Sequence, residues 1–234
     1  MKIIILAAGV GSRLGLKAIP KALAPLDNGK TILTAQLDNF LQFAPASSLI
    51  LVVGYRKEAI QGFLKDFPAL HYVVNPDFAT ENTAKSLLRG IEGVDEDILW
   101  VNGDVLFKKE ILSAVLQTAK SCMVVNRGQI GEEEVKYRSD EKGRILEVSK
   151  TVKEGQGEAL GINYFSKKDV PLLREALRNC SQKDYFEKGI EFCIQQGMDV
   201  SGVVVDKDDC VEVDFPEDLA RANRLLASWK LTLT

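Results

Sequence analysis

A single histidine, His71, stands in 234 residues, and the four cysteines (Cys122, Cys180, Cys193 and Cys210) never fall in a C-x-x-C spacing. These scarcities exclude whole chemistries. Ser-His-Asp and Cys-His hydrolysis need a placed imidazole, and His71 falls inside a strand-like stretch, Leu70 to Val74, where it reads as structural. Zinc ligation and a disulfide framework have no spacing to rest on. Thiols so scattered are expected to be buried or idle in a reducing cytosol. Excess positive charge is absent too: 30 Lys and Arg against 33 Asp and Glu leave a net charge of −3, with both signs interspersed. No nucleic-acid footprint is visible, so any positive potential must be local to a site. Long apolar runs are also missing. Ile3 to Ala8 is too short for a secretory core and is soon followed by Arg13, and no stretch could span a bilayer. The expectation is a cytoplasmic protein without membrane insertion. At 46% hydrophobic content the chain can bury a full core, and residues 1–234 are expected to form a single domain.

What is present is concentrated at the start, in MKIIILAAGVGSRLGLKAIPK. Lys2 to Leu6 is an apolar, β-branched run of buried-strand length. It breaks into Ala7, Ala8, Gly9, Val10 and Gly11, where small side chains let a ligand approach the backbone. Ser12 and Arg13 follow at once, and Pro20-Lys21 lies a short loop further on. Free amides, a guanidinium and an ammonium beside a strand end suit a triphosphate. Two familiar glycine motifs fail here. A dinucleotide fingerprint needs a glycine where Leu14 stands. Gly29-Lys30-Thr31 resembles the end of a P-loop, but its first glycine is replaced by Ala24, and Pro25 stiffens the cradle.

Strand-like and helix-like segments alternate through the first half, the pattern of a mostly parallel sheet flanked by helices. Strands are expected at Lys2–Leu6, Ser48–Val53, His71–Val74, Ile98–Val101 and Cys122–Asn126. Helices are expected at Thr31–Phe43, Lys57–Phe67, Asn82–Ile91 and Lys109–Ala119. The pattern then changes: Val135–Ser139 and Arg144–Val148 flank Asp140-Glu141-Lys142-Gly143, which predicts a small antiparallel excursion. A strand at Ala159–Phe165, helices at Lys168–Arg178 and Tyr185–Gln195, strands at Ser201–Val205 and Cys210–Val213, and a helix at Pro216–Ser228 close the chain. The fold class is Rossmann-like α/β. Asp104 stands just past an apolar strand, on the ligand edge of such a sheet. Asp214 precedes a Pro-started helix, where it could also be an ordinary cap.

The opening motif resembles the nucleotidylyltransferases that activate phosphorylated small molecules with an NTP. Their signature is a strand, then L-A-[AG]-G-x-G-[ST]-R-[LM], a loop and P-K. It is matched here by Leu6, Ala7, Ala8, Gly9, Val10, Gly11, Ser12, Arg13 and Leu14, then Pro20 and Lys21. Ala8 and the short loop after Leu14 lean toward cytidylyltransferases acting on phosphocholine, inositol phosphate or phosphonates. Sugar-1-phosphate enzymes using UTP, dTTP or GTP, and a non-catalytic nucleotide-binding module, are the alternatives.

The resemblance implies a nucleotidyl transfer, with CTP the favoured donor, Arg13 and Lys21 stabilising charge, and Mg²⁺ held by Asp104 and Asp214. It places the NTP mainly on residues 1–126 and the acceptor on 127–234. Asn82 and Ser86, in a string resembling the family's base and ribose segment, are the candidates there; an amide can read both donor and acceptor on a pyrimidine edge. Lys150, at the family's phosphate-holding lysine, is the acceptor clamp or a surface lysine. Glu158 contacts a hydroxyl or cationic acceptor group, or is a loop charge. A choline-type acceptor would need an aromatic cage, for which Tyr137, Tyr164, Tyr185 and Phe186 are available.

Overall fold

Lys2–Ala7 forms the first strand, β1, and its residues divide cleanly between the faces of a sheet. Ile3, Ile5 and Ala7 enter one core, while Ile4 and Leu6, with Ala8 just past the strand, enter another. That period of two is the geometry of a strand buried on both sides. The computed structural model describes residues 1–16, 19–67, 69–128, 130–131 and 134–231.

After β1 come α1 (Ile32–Phe40), β2 (Leu49–Val53), α2 (Lys57–Phe63), β3 (His71–Val74), α3 (Thr83–Ile91) and β4 (Ile98–Asn102). β5 (Val105–Phe107), α4 (Glu110–Gln117) and β6 (Cys122–Val125) follow, then the hairpin β7 (Lys136–Ser139) and β8 (Ile145–Ser149). β9 (Gly157–Phe165), α5 (Val170–Asn179), α6 (Phe186–Gln195), β10 (Ser201–Val204), β11 (Cys210–Glu212) and α7 (Pro216–Leu231) complete the order.

The main sheet runs β10-β6-β9-β4-β1-β2-β3. β1 is parallel to β2 and β4, β2 to β3, and β6 to β10; β9 lies antiparallel between β4 and β6. From β1 the chain winds outward through β2 and β3, then returns to β4 on the other side of β1. A crevice opens at such a reversal, outside the carboxyl ends of the two central strands. α1, α2 and α4 cover one face through Leu37, Ile60 and Val115; α3, α5 and α6 cover the other through Leu87, Leu173 and Ile190. Each such side chain, fully buried, is worth about 1.5–3 kcal/mol. A third, smaller cluster joins Leu14, Leu26 and Ile32 to Leu106, Val211, Val213 and Ala222. It ties the glycine loop to β5, β11 and α7.

The expected mostly parallel sheet and the antiparallel excursion are both present. The hairpin joins the main sheet where Lys136 and Tyr137 of β7 meet Glu158 and Gly157 of β9. Several helices are shorter than their apolar spacing suggests. α1 starts at its cap Thr31, which exchanges hydrogen bonds with Thr34, and α2 stops at Phe63. β5 is a strand that periodicity misses, because three residues are too few to alternate. Its partner is distant: β5 pairs antiparallel with β11. The four cysteines are free and buried. His71 is exposed on the edge strand β3. Among the described residues no helix is long and apolar enough to cross a membrane.

Candidate active site

The glycine loop leaves β1 at Ala8, which is buried and whose carbonyl accepts from the Tyr55 amide at 3.0 Å. Gly9 and Val10 then emerge into solvent, and Gly11 turns the chain at φ +63° into a short 3-10 turn, Ser12–Leu14. Among the described residues no backbone carbonyl accepts from the amides of Gly9, Val10 or Gly11. Three donors beside a strand end form a concavity suited to phosphate oxygens. A Cβ on Gly11 would stand 2.7 Å from the Cβ of Lys21, so glycine there serves both the turn and the close passage of the lysine stem. Gly11→Ala is therefore expected to leave the far-ultraviolet spectrum unchanged and to lower turnover on the order of tenfold or more. The left-handed strain alone costs roughly 1–2 kcal/mol, and the clash displaces Lys21.

Lys21 joins the two strand-end aspartates. Its Nζ lies 2.7 Å from Asp104 Oδ2 and also donates to Asp214 Oδ1. Arg13 Nη2 stands 3.0 Å from Asp214 Oδ2, with its guanidinium 5.2 Å from the centre of the Phe215 ring. Burial alone would pull the Lys21 pKa down, but Asp104 and Asp214 together outweigh it and raise it.

Local geometry explains both carboxylates. Gly103 allows β4 to end against β1: its amide donates to Leu6 O at 2.9 Å, and a Cβ there would meet that same oxygen at 2.8 Å. Asp104 follows directly. Asp214 is delivered by the β5–β11 pairing, extended by Val213 N to Asp104 O at 2.9 Å. The amides of Asp214 and Phe215 donate to the Asp218 carboxylate at 3.0 and 2.8 Å. Asp218 thus closes the turn before α7, while the Asp214 carboxylate faces Lys21 and Arg13.

A third carboxylate belongs here. Carboxylate oxygens of Asp104, Glu212 and Asp214 lie within 4.8 Å of one another. Glu212 shares a strand face with Asp214, two residues apart, which is the signal that would have marked it. Desolvation, then Asp104 and Asp214, push its pKa well up, and Lys21 pulls the other way. Asp104 Oδ1 is buried with no hydrogen-bond partner among the described residues. An orphaned oxygen within a cluster of hard oxygen donors fits a divalent cation such as Mg²⁺, which takes one or two carboxylates and keeps waters for phosphate.

Around these groups is a cleft of about 650 Å³. Leu6, Ala7, Gly9, Gly11, Ser12, Arg13 and Lys21 line it, together with Lys150, Glu158, Tyr185 and Glu187. Lys150 Nζ sits 4.7 Å from the Tyr185 ring centre. Glu158 accepts from Asn126 Nδ2 at 2.5 Å. Asn82 lines the cleft, but its amide is engaged with the chain: Oδ1 accepts from Thr83 N at 2.8 Å and Nδ2 donates to Lys183 O at 3.3 Å. The structure does not bring Ser86 onto the wall. It is buried, and its hydroxyl accepts from Asn75 Nδ2 at 3.1 Å. Tyr137 is buried with its hydroxyl on Asn126 O, and Phe186 and Tyr164 are buried as well, so of the four aromatics considered for a cage only Tyr185 reaches the cleft.

Glu187 was not anticipated, although a carboxylate three residues before Ile190, on the apolar side of α6, is a detectable anomaly. Burial pushes its pKa up to about 7, with its own backbone amide and Lys150 pulling back. A carboxyl raised when folded binds more protons in the native than in the unfolded chain, so stability falls as pH rises from about 4.5 to about 7. The penalty is roughly 3 kcal/mol at full ionisation. Glu187→Gln is expected to raise the denaturation midpoint at pH 8 and leave it nearly unchanged at pH 4. Equal shifts at both pH values would remove the ionisation as the cause.

A crevice at a sheet reversal, with free amides, two cations and a carboxylate cluster, defines the class: an α/β domain that handles a nucleoside triphosphate. The MobA-like NTP transferase domain family matches residues 3–188, and the chain belongs to that family. CMP-5'-(3-aminopropyl)phosphonate synthase of Streptomyces rubellomurinus (strain ATCC 31215) is 34% identical over 129 residues, which are 53% of this chain and 20% of that protein. The chain therefore spans about a fifth of that relative's length. Among solved structures, the CTP:phosphocholine cytidylyltransferase from Streptococcus pneumoniae aligns with TM-score 0.78 at 18% identity, covering 96% of this chain and 98% of the other. A nucleoside-diphosphate-sugar pyrophosphorylase from Vibrio cholerae RC9 aligns with TM-score 0.75 at 15% identity, covering 94% and 99%. At these identities the likeness is one of fold.

Proposed function

We propose that this protein transfers a nucleotidyl group, CMP from CTP, to a small phosphorylated or phosphonate acceptor with release of pyrophosphate. One observation carries the reading: Lys21 of the glycine-loop motif is bonded to both Asp104 and Asp214, so groups 83 and 193 residues away converge on one triphosphate-sized cleft. An acceptor oxygen forms a bond to the α-phosphorus as the bond to pyrophosphate breaks. The oxygen is already ionised near neutral pH, so the protein supplies neither a nucleophile nor a base. Its contribution is position and charge.

The amides after β1 hold phosphate oxygens, Arg13 and Lys21 offset their charge, and the residues before 127 form most of the NTP side. Asp104 and Asp214, joined by Glu212, would hold Mg²⁺, which neutralises phosphate charge when bound. Lys150 beside Tyr185 holds the acceptor phosphate. Asn82, at the start of α3, lies where the base or ribose would meet the wall. The preference for CTP is supported by the likeness to the Streptomyces CMP-5'-(3-aminopropyl)phosphonate synthase and the Streptococcus CTP:phosphocholine cytidylyltransferase. The Vibrio likeness supports a second reading, a sugar-1-phosphate acceptor with another NTP. Pyrophosphate release, measured with CTP, UTP, dTTP and GTP over aminoalkyl phosphonates, phosphocholine, inositol phosphate and sugar 1-phosphates, decides between them. No release with any pair would refute both.

The acceptor clamp has its own test. Lys150→Ala is expected to raise KM for the acceptor and lower kcat, because the nucleophile is held less tightly and aimed less well. Lys150→Arg should do much less harm than Lys150→Gln. Calorimetric binding of the NTP should barely change. Weakened NTP binding with unaltered acceptor kinetics would move Lys150 to the nucleotide.

A further inference from the structure

Residues assigned to the nucleotide and to the acceptor are fastened to each other at the start of α3. The segment between α5 and α6 covers that start. The Asn82 amide donates to Gln182 O at 2.7 Å, Asn82 Nδ2 to Lys183 O at 3.3 Å, and the Ala84 amide to Asp184 O at 3.2 Å. Donors that open a helix without an intrahelical partner are thereby met by backbone carbonyls. One further bond runs in the opposite direction: Thr83 Oγ1 accepts from the Phe186 amide at 3.0 Å, across 103 residues of chain.

No local group supplies that bond. Tyr185 stands at the capping position of α6, but its side chain makes no capping hydrogen bond, so the helix takes the partner of its first amide from α3. Phe186 is buried with its ring edge-on to Trp100, at 5.7 Å between centres. Packing therefore holds its side chain while Thr83 holds its amide. Tyr185, the preceding residue, lies under Lys150, whose Nζ is 4.7 Å from the ring centre. Asn82, Thr83, Lys150 and Tyr185 all line the cleft. The turn of α3 that carries Asn82 thus also anchors the ring on which the acceptor clamp rests.

We propose that Thr83 is a positioning residue: its hydroxyl ties the start of α6 to the start of α3, so that a nucleotide settling against Asn82 steadies Tyr185 and Lys150 for the acceptor. The proposal rests on the nucleotidyl-transfer reading and holds for any acceptor. Its benefit is in aim. An acceptor oxygen must be held in line with the α-phosphorus, and a clamp ordered beforehand lowers the entropic cost of holding it there. Coupling of this kind is reciprocal, so an acceptor on Lys150 equally steadies the turn that meets the nucleotide.

Amide hydrogen exchange over residues 181–188 of the full chain, read by mass spectrometry, tests the joint without an acceptor. Thr83→Val keeps the branched shape and removes the oxygen, whereas Thr83→Ser keeps the oxygen. A non-hydrolysable CTP analogue with Mg²⁺ should slow exchange there on the order of tenfold in the unaltered protein and in Thr83→Ser, a typical size for coupling between sites. In Thr83→Val the same analogue should bind with little change in calorimetric affinity and leave the exchange of 181–188 as it was. Faster exchange in Thr83→Val with the slowing by nucleotide retained would make Thr83 merely the cap of α6 and overturn the proposal. Binding of the analogue to the unaltered protein without any slowing would overturn it as well, with no need of a variant, and would leave nucleotidyl transfer standing. If analogues of CTP, UTP, dTTP and GTP all fail to bind, the underlying reading falls and the proposal with it.

Discussion

Replacing Lys21 with alanine is expected to lower kcat with CTP and acceptor on the order of a hundredfold or more. Removal of one preorganised donor aimed at developing charge costs about 3 kcal/mol of transition-state stabilisation. Lys21 suits that role because its Nζ is already held between Asp104 and Asp214, and its stem is fixed against Gly11. The same substitution leaves Asp104, Glu212 and Asp214 crowded without their ammonium, so the variant should also unfold at lower temperature. Mg²⁺ should raise the denaturation midpoint of Lys21→Ala more than that of the unaltered protein, because an ion can take the place the ammonium left. This second readout separates charge balance from a general packing defect. Near-normal kcat in a folded Lys21→Ala protein would dismiss the catalytic assignment.

Asp104→Asn and Asp214→Asn should each cost a comparable loss of activity and flatten the dependence of rate on Mg²⁺ concentration. The double variant should be little worse than the poorer single one, since groups that hold one ion act as a unit. The structural ground is proximity: the two carboxylates share Lys21 and lie in one oxygen cluster with Glu212. Glu212→Gln supplies an internal comparison, because its oxygen belongs to the cluster but no ion pair ties it to Lys21 or Arg13 among the described residues. Mild, additive losses from the aspartate variants would instead mean that Asp214 serves the turn before α7, together with Asp218.

The sequence by itself determined the frame of this protein. β1, β2 and β4 are legible because a strand buried on both faces must be apolar throughout, and the helices between them because one face of each must cover the sheet. The glycine loop with Arg13 and Lys21 is legible because few folds require small residues, a guanidinium and an ammonium in that order. Even the strand-end position of Asp104 follows from local pattern. All of these are properties of neighbours along the chain.

What the tertiary structure alone decided is which distant groups meet. β5 is too short to announce itself, yet its pairing with β11 sets Asp214 and Glu212 beside Asp104. The burial of Ser86 away from the cleft, the engagement of the Asn82 amide, and the unpartnered oxygen of Glu187 likewise depend on packing between segments. Periodicity reports which face of an element is apolar; it carries no record of what that face touches. Charges on separate elements are brought together by the packing of the sheet and its helices, and the hydrophobic effect that drives this packing is not directional. The chemistry of this cleft is therefore a consequence of the topology, with the local motif supplying only its first half.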